Sequence, residues 1–307
     1  SNMETIALSN TGAGDIDITT GSAYNTAFAS GATITTGTMA VTQDVTFNGG
    51  LSSTAVNLTI DATLLVGTAA ETHIITTGSA ADTVTFTGDD TYVGVTNAAQ
   101  GTIAISTGAG ADTISVTVGT LLDSTSGQAM TITGGTGADL ITKVGINNTT
   151  VTSTAHFVTA DGDSTTTAWD QITGFDVASG TNLSDVIDFS GTGAVGTLGT
   201  STDFGIILSH NISGGVATFD DAATHATALV INSSNLADVV GYLAANTATN
   251  DAIAFAYDSD ANGTADATMV FNNGTTTDSL VELVGVTGVT SINATLTTTT
   301  ADTIAIA

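Results

Sequence analysis

The first half of the chain alternates hydrophobic and polar residues over short stretches. Residues 102–106 read Thr-Ile-Ala-Ile-Ser, and residues 113–117 read Thr-Ile-Ser-Val-Thr. Successive side chains of a β-strand point to opposite faces, and β-branched residues fit a pleated, half-buried surface. The pattern therefore predicts short strands with one buried face, and this half of the chain carries almost no helix signal.

The turns between these strands resemble one another. A shared frame, x-Gly-x-x-Ala-Asp, occurs at residues 77–82, 107–112 and 134–139. Its aspartates, Asp82, Asp112 and Asp139, are spaced 30 and 27 residues apart, and a turn one residue shorter ends at Asp15. Spacings of this size are typical of stacked β coils. We expect glycine to allow the tight corners, aspartate to face outward and the next Ile or Val to point into a narrow core.

The pattern changes near residue 150. One amphipathic helix is predicted by four apolar residues at helical spacing, Leu236, Val239, Val240 and Leu243. Ser234 or Asn235 is its expected N-cap. Alternating runs at residues 252–257 and 267–271 predict a hairpin, and residues 279–284 predict a further strand.

These patterns predict a mainly β protein with two domains. Residues 1–150 are expected to form an irregular parallel solenoid of the β-helix or β-roll type, with Gly-Asp turns. Residues 151–307 are expected to form a β-rich C-terminal domain with one or two short helices.

The chain is strongly acidic. Its 307 residues contain 29 acids, of which only Glu4, Glu71 and Glu282 are glutamate, against the single basic residue Lys143, and the formal net charge is -28. This charge excludes nucleic acids and anionic lipid surfaces as natural partners and favours cations. Cysteine is absent, which excludes disulfides and thiolate metal sites. No apolar run is long enough for a membrane helix, so we expect no membrane insertion.

The Gly-Asp turns are candidate calcium ligands. Stacked coils would align the carboxylates of Asp82, Asp112 and Asp139, and aligned carboxylates repel one another unless a cation lies between them. Backbone carbonyls of the turns would complete the oxygen set that calcium needs, and the turn glycines in question are Gly108, Gly110, Gly135 and Gly137. The alternative is that these are ordinary surface turns in which each aspartate caps its own backbone.

A second candidate calcium site lies between the strands of the predicted hairpin. Acidic and amide side chains occupy positions 1, 3, 5 and 9 of an EF-hand-like loop, and they are Asp258, Asp260, Asn262 and Asp266. Gly263 stands at position 6, where such loops need glycine, but position 12 is Met269 instead of glutamate. The alternative is a polar hairpin turn without a metal.

No catalytic motif is recognisable. The four histidines, His73, His156, His210 and His225, lie far apart in the sequence and none belongs to an H-E-x-x-H pair. The chain also has no G-x-S-x-G elbow and no nucleotide-binding glycine motif ahead of a suitable helix. We expect a protein that is not an enzyme.

Residues 134–139, Gly-Gly-Thr-Gly-Ala-Asp, resemble the G-G-x-G-x-D opening of the repeats in RTX (haemolysin-type calcium-binding) proteins. Residues 170–191 and 257–271 are similar to segments that follow such repeats, and the chain most resembles the C-terminal part of bacterial surface-layer proteins exported by type I secretion. The repeats here depart from the family because they are not tandem nonapeptides.

The resemblance implies a secreted, calcium-binding structural protein on the bacterial cell surface, which folds and self-assembles on calcium binding outside the cell. It also implies that residues 297–307 carry an export signal, although an edge strand explains them equally simply. Its main partner would be itself, and cell-surface polysaccharide is a further partner class. Two alternatives stay open: a calcium-stiffened adhesin, and the noncatalytic C-terminal part of a type I secreted enzyme whose active domain precedes Ser1.

Overall fold

The fold is mainly β and contains a parallel β-solenoid, which confirms the predicted fold class. The structure is a computed structural model. It describes residues 5–8, 15–38, 44–61, 72–88, 102–117, 129–145, 155–159, 166–178, 185–189, 194–199, 202–275, 277–293 and 303–307.

The chain divides into two compact units. The first comprises Ser1–Val158 with Gly180–Leu183, and the second comprises Thr159–Ser179 with Ser184–Ala307. The solenoid is the first unit, and the hairpin and longer helix belong to the second.

Two parallel sheets form the walls of the solenoid unit, and consecutive strands belong to alternate sheets. The first sheet contains, in order, β1 (Thr5–Ala7), β3 (Ala32–Thr38), β5 (Val56–Asp61), β7 (Thr83–Thr87), β9 (Thr113–Thr117) and β11 (Leu140–Val144). The second contains β2 (Ile16–Thr19), β4 (Val45–Asn48), β6 (Thr72–Thr76), β8 (Thr102–Ser106), β10 (Ala129–Thr133) and β12 (Ala155–Thr159). A short helix, α1 (Ser22–Ala27), was not predicted from the sequence.

The solenoid core consists of rows of aligned side chains. One inward row of the first sheet contains Ile34, Leu58, Val84, Ile114 and Ile141. An inward row of the second sheet contains Phe47, Ile75, Ile105, Ile132 and Phe157. All of these side chains are buried. The alternation seen in the sequence therefore places β-branched and aromatic residues in stacks, where burial stabilises each coil against its neighbours.

Two ionisable side chains also lie inside the solenoid. Lys143 aligns with Val116 and is 2% exposed. His73 is 4% exposed, aligns with Ile103 and packs against the ring of Phe86 at a centroid distance of 5.2 Å. Its Nδ1 atom has no hydrogen-bond partner, and burial lowers the pKa of His73 from 6.5 to about 4. The imidazole is therefore neutral at physiological pH.

The second unit contains a mixed sheet and a smaller sheet. The mixed sheet has the order β13 (Asp170–Thr173), β20 (Ser279–Val284), β19 (Ala267–Asn272), β18 (Asp251–Tyr257), β17 (Val216–Asp220) and β16 (Ser209–Ser213), with β15 (Ala194–Val195) also paired to β18. The smaller sheet has the order β14 (Val186–Phe189), β22 (Thr303–Ile306) and β21 (Ile292–Asn293). The predicted hairpin is β18–β19, and β20 is the predicted further strand.

The predicted helix is α2 (Leu236–Asn246), which begins after Asn235. Leu236, Val239 and Leu243 pack into the core of this unit together with aromatic residues of β17 and β18. The apolar stripe of α2 therefore packs into the core, as the sequence predicts. The chain's last described strand, β22, is paired on both sides, so the expectation of an edge strand at the C-terminal end is wrong for residues 303–306. Residues 297–302 of that predicted tail lie outside the described residues.

Candidate metal centres

The three predicted turn aspartates stack at one corner of the solenoid. Asp82, Asp112 and Asp139 each precede a strand of the first sheet, and these strands are paired without a shift in register. Their exposed fractions are 2%, 1% and 1%. The expectation that aspartate faces outward is therefore wrong here, because the carboxylates turn into the corner.

Backbone amides of neighbouring coils hold these carboxylates. The N–H of Val56 donates to Oδ1 of Asp82 (2.7 Å), and the N–H of Asp82 donates to Oδ1 of Asp112 (2.7 Å). The N–H of Asp112 donates to Oδ1 of Asp139 (2.8 Å). Asp82 also closes its own turn, since the N–H of Gly78 donates to its Oδ2 (3.1 Å). We call this row of Asp82, Asp112 and Asp139 the aspartate ladder.

The middle carboxylate of the ladder is incompletely compensated. Oδ2 of Asp112 is buried and makes no hydrogen bond. The pKa of Asp112 is raised from 3.8 to about 6, mainly by burial and to a lesser extent by the charges of Asp139 and Asp82, while hydrogen bonds to the carboxylate oppose the shift. At neutral pH the ladder therefore holds a charge at Asp112 that its surroundings disfavour.

The corner glycines allow the coils to stack closely. Gly108 and Gly135 have φ of +92° and +97°, and a Cβ on either would overlap a carbonyl oxygen of the preceding coil, that of Gly78 or Gly108. Gly110 and Gly137 form a second row with φ of +143° and +132°. Only glycine fits both this backbone conformation and this spacing.

The carbonyl groups at the corner already accept hydrogen bonds. The N–H of Ala109 donates to the oxygen of Gly78 (3.0 Å), and the N–H of Thr136 donates to the oxygen of Gly108 (2.7 Å). The N–H of Gly110 donates in turn to the oxygen of Thr136 (2.7 Å). These three carbonyl oxygens are therefore part of the hydrogen bonding between coils.

Buried hydroxyl groups form a further row at this corner that sequence reasoning missed. Oγ1 of Thr77 donates to the carbonyl oxygen of Thr107 (2.8 Å), and Oγ1 of Thr107 donates to that of Gly134 (2.8 Å). Both threonines are buried. The signal was available in the sequence, since threonine stands first in two of the three Gly-Asp frames.

A separate aspartate pair precedes strands of the second sheet. The N–H of Asp44 donates to Oδ1 of Asp15 (3.1 Å), and the N–H of Thr72 donates to Oδ1 of Asp44 (2.6 Å). Asp15 therefore precedes β2 and does not belong to the aspartate ladder, although the sequence before it resembles that of the three ladder turns. An aspartate directly before an apolar strand, as in Asp44-Val45, was the available signal.

The second candidate, the loop of residues 258–266, joins β18 to β19 and is folded by its own side chains. Asp258 is 0% exposed, and its Oδ1 and Oδ2 accept the N–H groups of Asn262 (3.1 Å) and Gly263 (2.7 Å). Gly263 has a φ of +94°, which explains the glycine at this position. The first position of the loop thus fixes the turn at positions 5 and 6.

The other three loop residues are more exposed. Oδ1 and Oδ2 of Asp260 accept the N–H and Nδ2–H groups of Asn262 (3.1 and 2.9 Å). Asp266 accepts the N–H and Oγ–H groups of Ser259 (both 2.8 Å), and these hydrogen bonds lower the pKa of Asp266. The carboxylates of Asp260 and Asp266 therefore lie on the more exposed side of the loop.

The described residues contain no group of three or more histidine, aspartate or glutamate side chains arranged to hold a metal ion. Calcium binding at the aspartate ladder and at the 258–266 loop stays a prediction. The ladder residues bind backbone amides, whereas the loop residues are held mainly by groups within the loop itself.

Two histidines that are separated in sequence approach each other in the second unit. Nδ1 of His210 is 2.7 Å from the hydroxyl oxygen of Tyr242, and Nε2 of His225 is 3.1 Å from Oγ1 of Thr218. Burial lowers the pKa of His210, and the charge of His225 lowers it further. His73 lies in the solenoid core, and the side chain of His156 lies outside the described residues.

No protein-family model matches this chain, and neither a curated protein nor a solved structure is significantly similar to it. Among the described helices, none is long and apolar enough to cross a membrane.

Proposed function

We propose that this chain is a calcium-binding structural protein of a bacterial surface layer, related to RTX proteins, exported by type I secretion and assembled outside the cell. The observation that carries the proposal is the loop of residues 258–266. It has the residue order of a calcium loop, and its first aspartate already binds the amides of positions 5 and 6.

The oxygen donors of the loop fit calcium, a hard cation that takes about six to eight oxygen ligands. Asp258, Asp260, Asn262 and Asp266 would hold it. Bound calcium supplies positive charge among these carboxylates. Gly263 keeps the loop tight, and β18 and β19 fix its two ends, so the loop needs little ordering before binding.

Charge connects calcium to folding in this proposal. A net charge of -28 opposes compaction through self-repulsion, and Asp112 adds a disfavoured buried charge. A ligand that binds only the folded chain shifts the equilibrium toward that state. The chain would therefore stay expanded at low calcium during export and become stable outside.

The test is a calcium titration of the full chain after chelation, followed by circular dichroism, melting temperature and light scattering, with magnesium as the control ion. We expect calcium to raise the melting temperature more than magnesium does, and scattering to rise as ordered sheets form, visible by electron microscopy. Asp260→Asn should weaken the calcium response, whereas Asp203→Asn, the same change at an exposed position outside the loop, should leave it intact.

A chain that is fully stable in chelator and indifferent to calcium would overturn the calcium proposal. A calcium-stabilised chain that remains monomeric and binds glycans would overturn assembly in favour of the adhesin.

A further inference from the structure

The outer surface of the first sheet carries a regular grid of small polar side chains. We define the threonine face as the outward residues of β5, β7, β9 and β11. These residues are Asn57, Thr59, Asp61, Thr83, Thr85, Thr87, Thr113, Ser115, Thr117, Leu140, Thr142 and Val144. Nine of the twelve positions carry a hydroxyl or amide side chain without charge.

The grid is regular in two directions. The four strands pair residue for residue, with no shift in register. Neighbouring strands lie about 4.8 Å apart, and alternate residues along a strand lie roughly 6.6 Å apart. Threonine is stiff at χ1, so its methyl and hydroxyl groups hold fixed positions on this grid. The middle rank, from Thr59 through Thr85 to Thr142, has a hydroxyl group on every strand.

The threonine face is nearly uncharged on a very acidic protein. Asp61, at one corner, is its single ionisable residue, although the chain contains 29 acids. The outer surface of the second sheet is less regular, because Ile74 and Ala104 interrupt its ranks. On the threonine face, Leu140 and Val144 of β11 end the two outer ranks, but the middle rank is unbroken. The middle rank of the second sheet is the one that Ile74 and Ala104 interrupt.

The chemistry of the threonine face excludes most partners. It has no aromatic residue on which a sugar could stack and no cationic residue for an anion. Four strands of five residues cover roughly 300 Å², whereas a stable protein interface needs about 800 Å² on each partner. A second copy of the chain therefore does not fit this face by itself.

We propose that the threonine face binds ice. The spacing between strands is close to one oxygen repeat of hexagonal ice, and the spacing along a strand is somewhat shorter than a second repeat. Hydroxyl groups can donate to and accept from ordered water, and the methyl groups between them favour an ordered hydration layer. A regular and nearly uncharged grid can therefore contact a crystalline water surface at many points at once.

The test measures thermal hysteresis and partition into slowly growing ice, using the full chain in calcium-containing buffer. We expect the unmodified chain to shape ice crystals and to show hysteresis. Thr85→Tyr places a bulky ring at the centre of the face and should abolish both effects. Thr76→Tyr places the same ring on the outward side of β6 in the second sheet, so it is the matched control and should retain both effects.

Circular dichroism must show that each variant is folded, and Ser115→Tyr replaces Thr85→Tyr if the latter does not fold. Absence of hysteresis and of ice partition in the folded, unmodified chain would overturn the proposal. An equal loss of hysteresis and ice partition in the Thr76→Tyr control would also overturn it. So would an unmodified chain that has no ice activity but self-associates through this face, with Thr85→Tyr abolishing the self-association. Asp260→Asn should keep ice binding, so this result is independent of the calcium proposal.

Discussion

At the scale of single residues, the aspartate ladder shows how a carboxylate can be buried without a basic partner. Peptide N–H groups of adjacent coils donate to Asp82, Asp112 and Asp139. Such hydrogen bonds favour the charged form, whereas burial and the neighbouring carboxylates disfavour it. At Asp112 the second effect is larger, so its charge opposes folding at neutral pH.

We therefore predict that Asp112→Asn stabilises the chelated protein at pH 7 by about 1–2 kcal/mol, a value reduced for solvent screening. Asparagine keeps an oxygen for the N–H of Asp82 and removes the disfavoured charge. Chemical denaturation in chelator measures this change. Destabilisation in chelator would contradict the prediction, and loss of calcium-dependent stabilisation in this variant would indicate a cation at the corner.

The pH dependence of stability should reveal two groups with opposite effects. His73 has a pKa of about 4 in the folded state against 6.5 for the free side chain, so the unfolded chain binds more protons between these values. Its contribution is complete above pH 6.5 and is lost as pH falls toward 4, by up to roughly 3 kcal/mol. Asp112, with a raised pKa of about 6, instead stabilises the fold as pH falls from 6 toward 3.8.

His73→Leu removes the loss that His73 causes, so as pH falls from 6.5 to 4 the free energy of unfolding of this variant should decrease less than that of the unmodified chain. Asp112→Asn should make the same curve fall more steeply. Urea denaturation at several pH values measures both curves. Parallel curves for all three proteins would show that neither group titrates differently on folding.

At the scale of elements, the close stacking of the coils requires glycine at the corners. A Cβ on Gly135 would overlap the carbonyl oxygen of Gly108 and would also require an L-residue at a φ of +97°. Gly135→Ala should therefore destabilise the solenoid by about 2 kcal/mol or more. Gly50→Ala is the control in the same unit, because its Cβ would make only ordinary contacts, and it should change stability by less than about 0.5 kcal/mol. Thermal melts compare the two, and equal effects would contradict this account.

The strands and the longer helix could be predicted because each has a periodic pattern. Ile114 and Val116 alternate with polar residues and are buried, and Leu236 and Val239 follow helical spacing and pack in the core. α1 could not be predicted, since six residues with no side-chain cap carry too little pattern.

The candidate site was harder to predict, because a sequence motif can predict a turn but not the residues that its side chains contact. The frame ending at Asp112 identified the corner, but periodicity does not say whether a turn side chain faces solvent or the amides of the next coil. Likewise, the turn ending at Asp15 looks like the others, and only the strand order shows that it precedes the opposite sheet. The loop from Asp258 to Asp266 was easier, because its residue order directly encodes its internal hydrogen bonds.

At the scale of the whole molecule, self-repulsion should make stability depend on salt. The Debye length falls from about 30 Å at 0.01 M to about 8 Å at 0.15 M ionic strength, so added sodium chloride should raise the melting temperature of the chelated protein. Differential scanning calorimetry across this range measures the effect. A melting temperature independent of salt would mean that the charges of this acidic chain are already compensated within the fold.

The burial of Lys143 should protect the folded protein from cleavage by trypsin. Trypsin cleaves after lysine and arginine, and this chain contains one such residue, 2% exposed inside the solenoid. The folded protein should therefore resist trypsin. When Lys143 becomes accessible, cleavage should produce only the fragments 1–143 and 144–307. The appearance of these two fragments would report the opening of a single coil, which makes the lone lysine a natural probe of local unfolding.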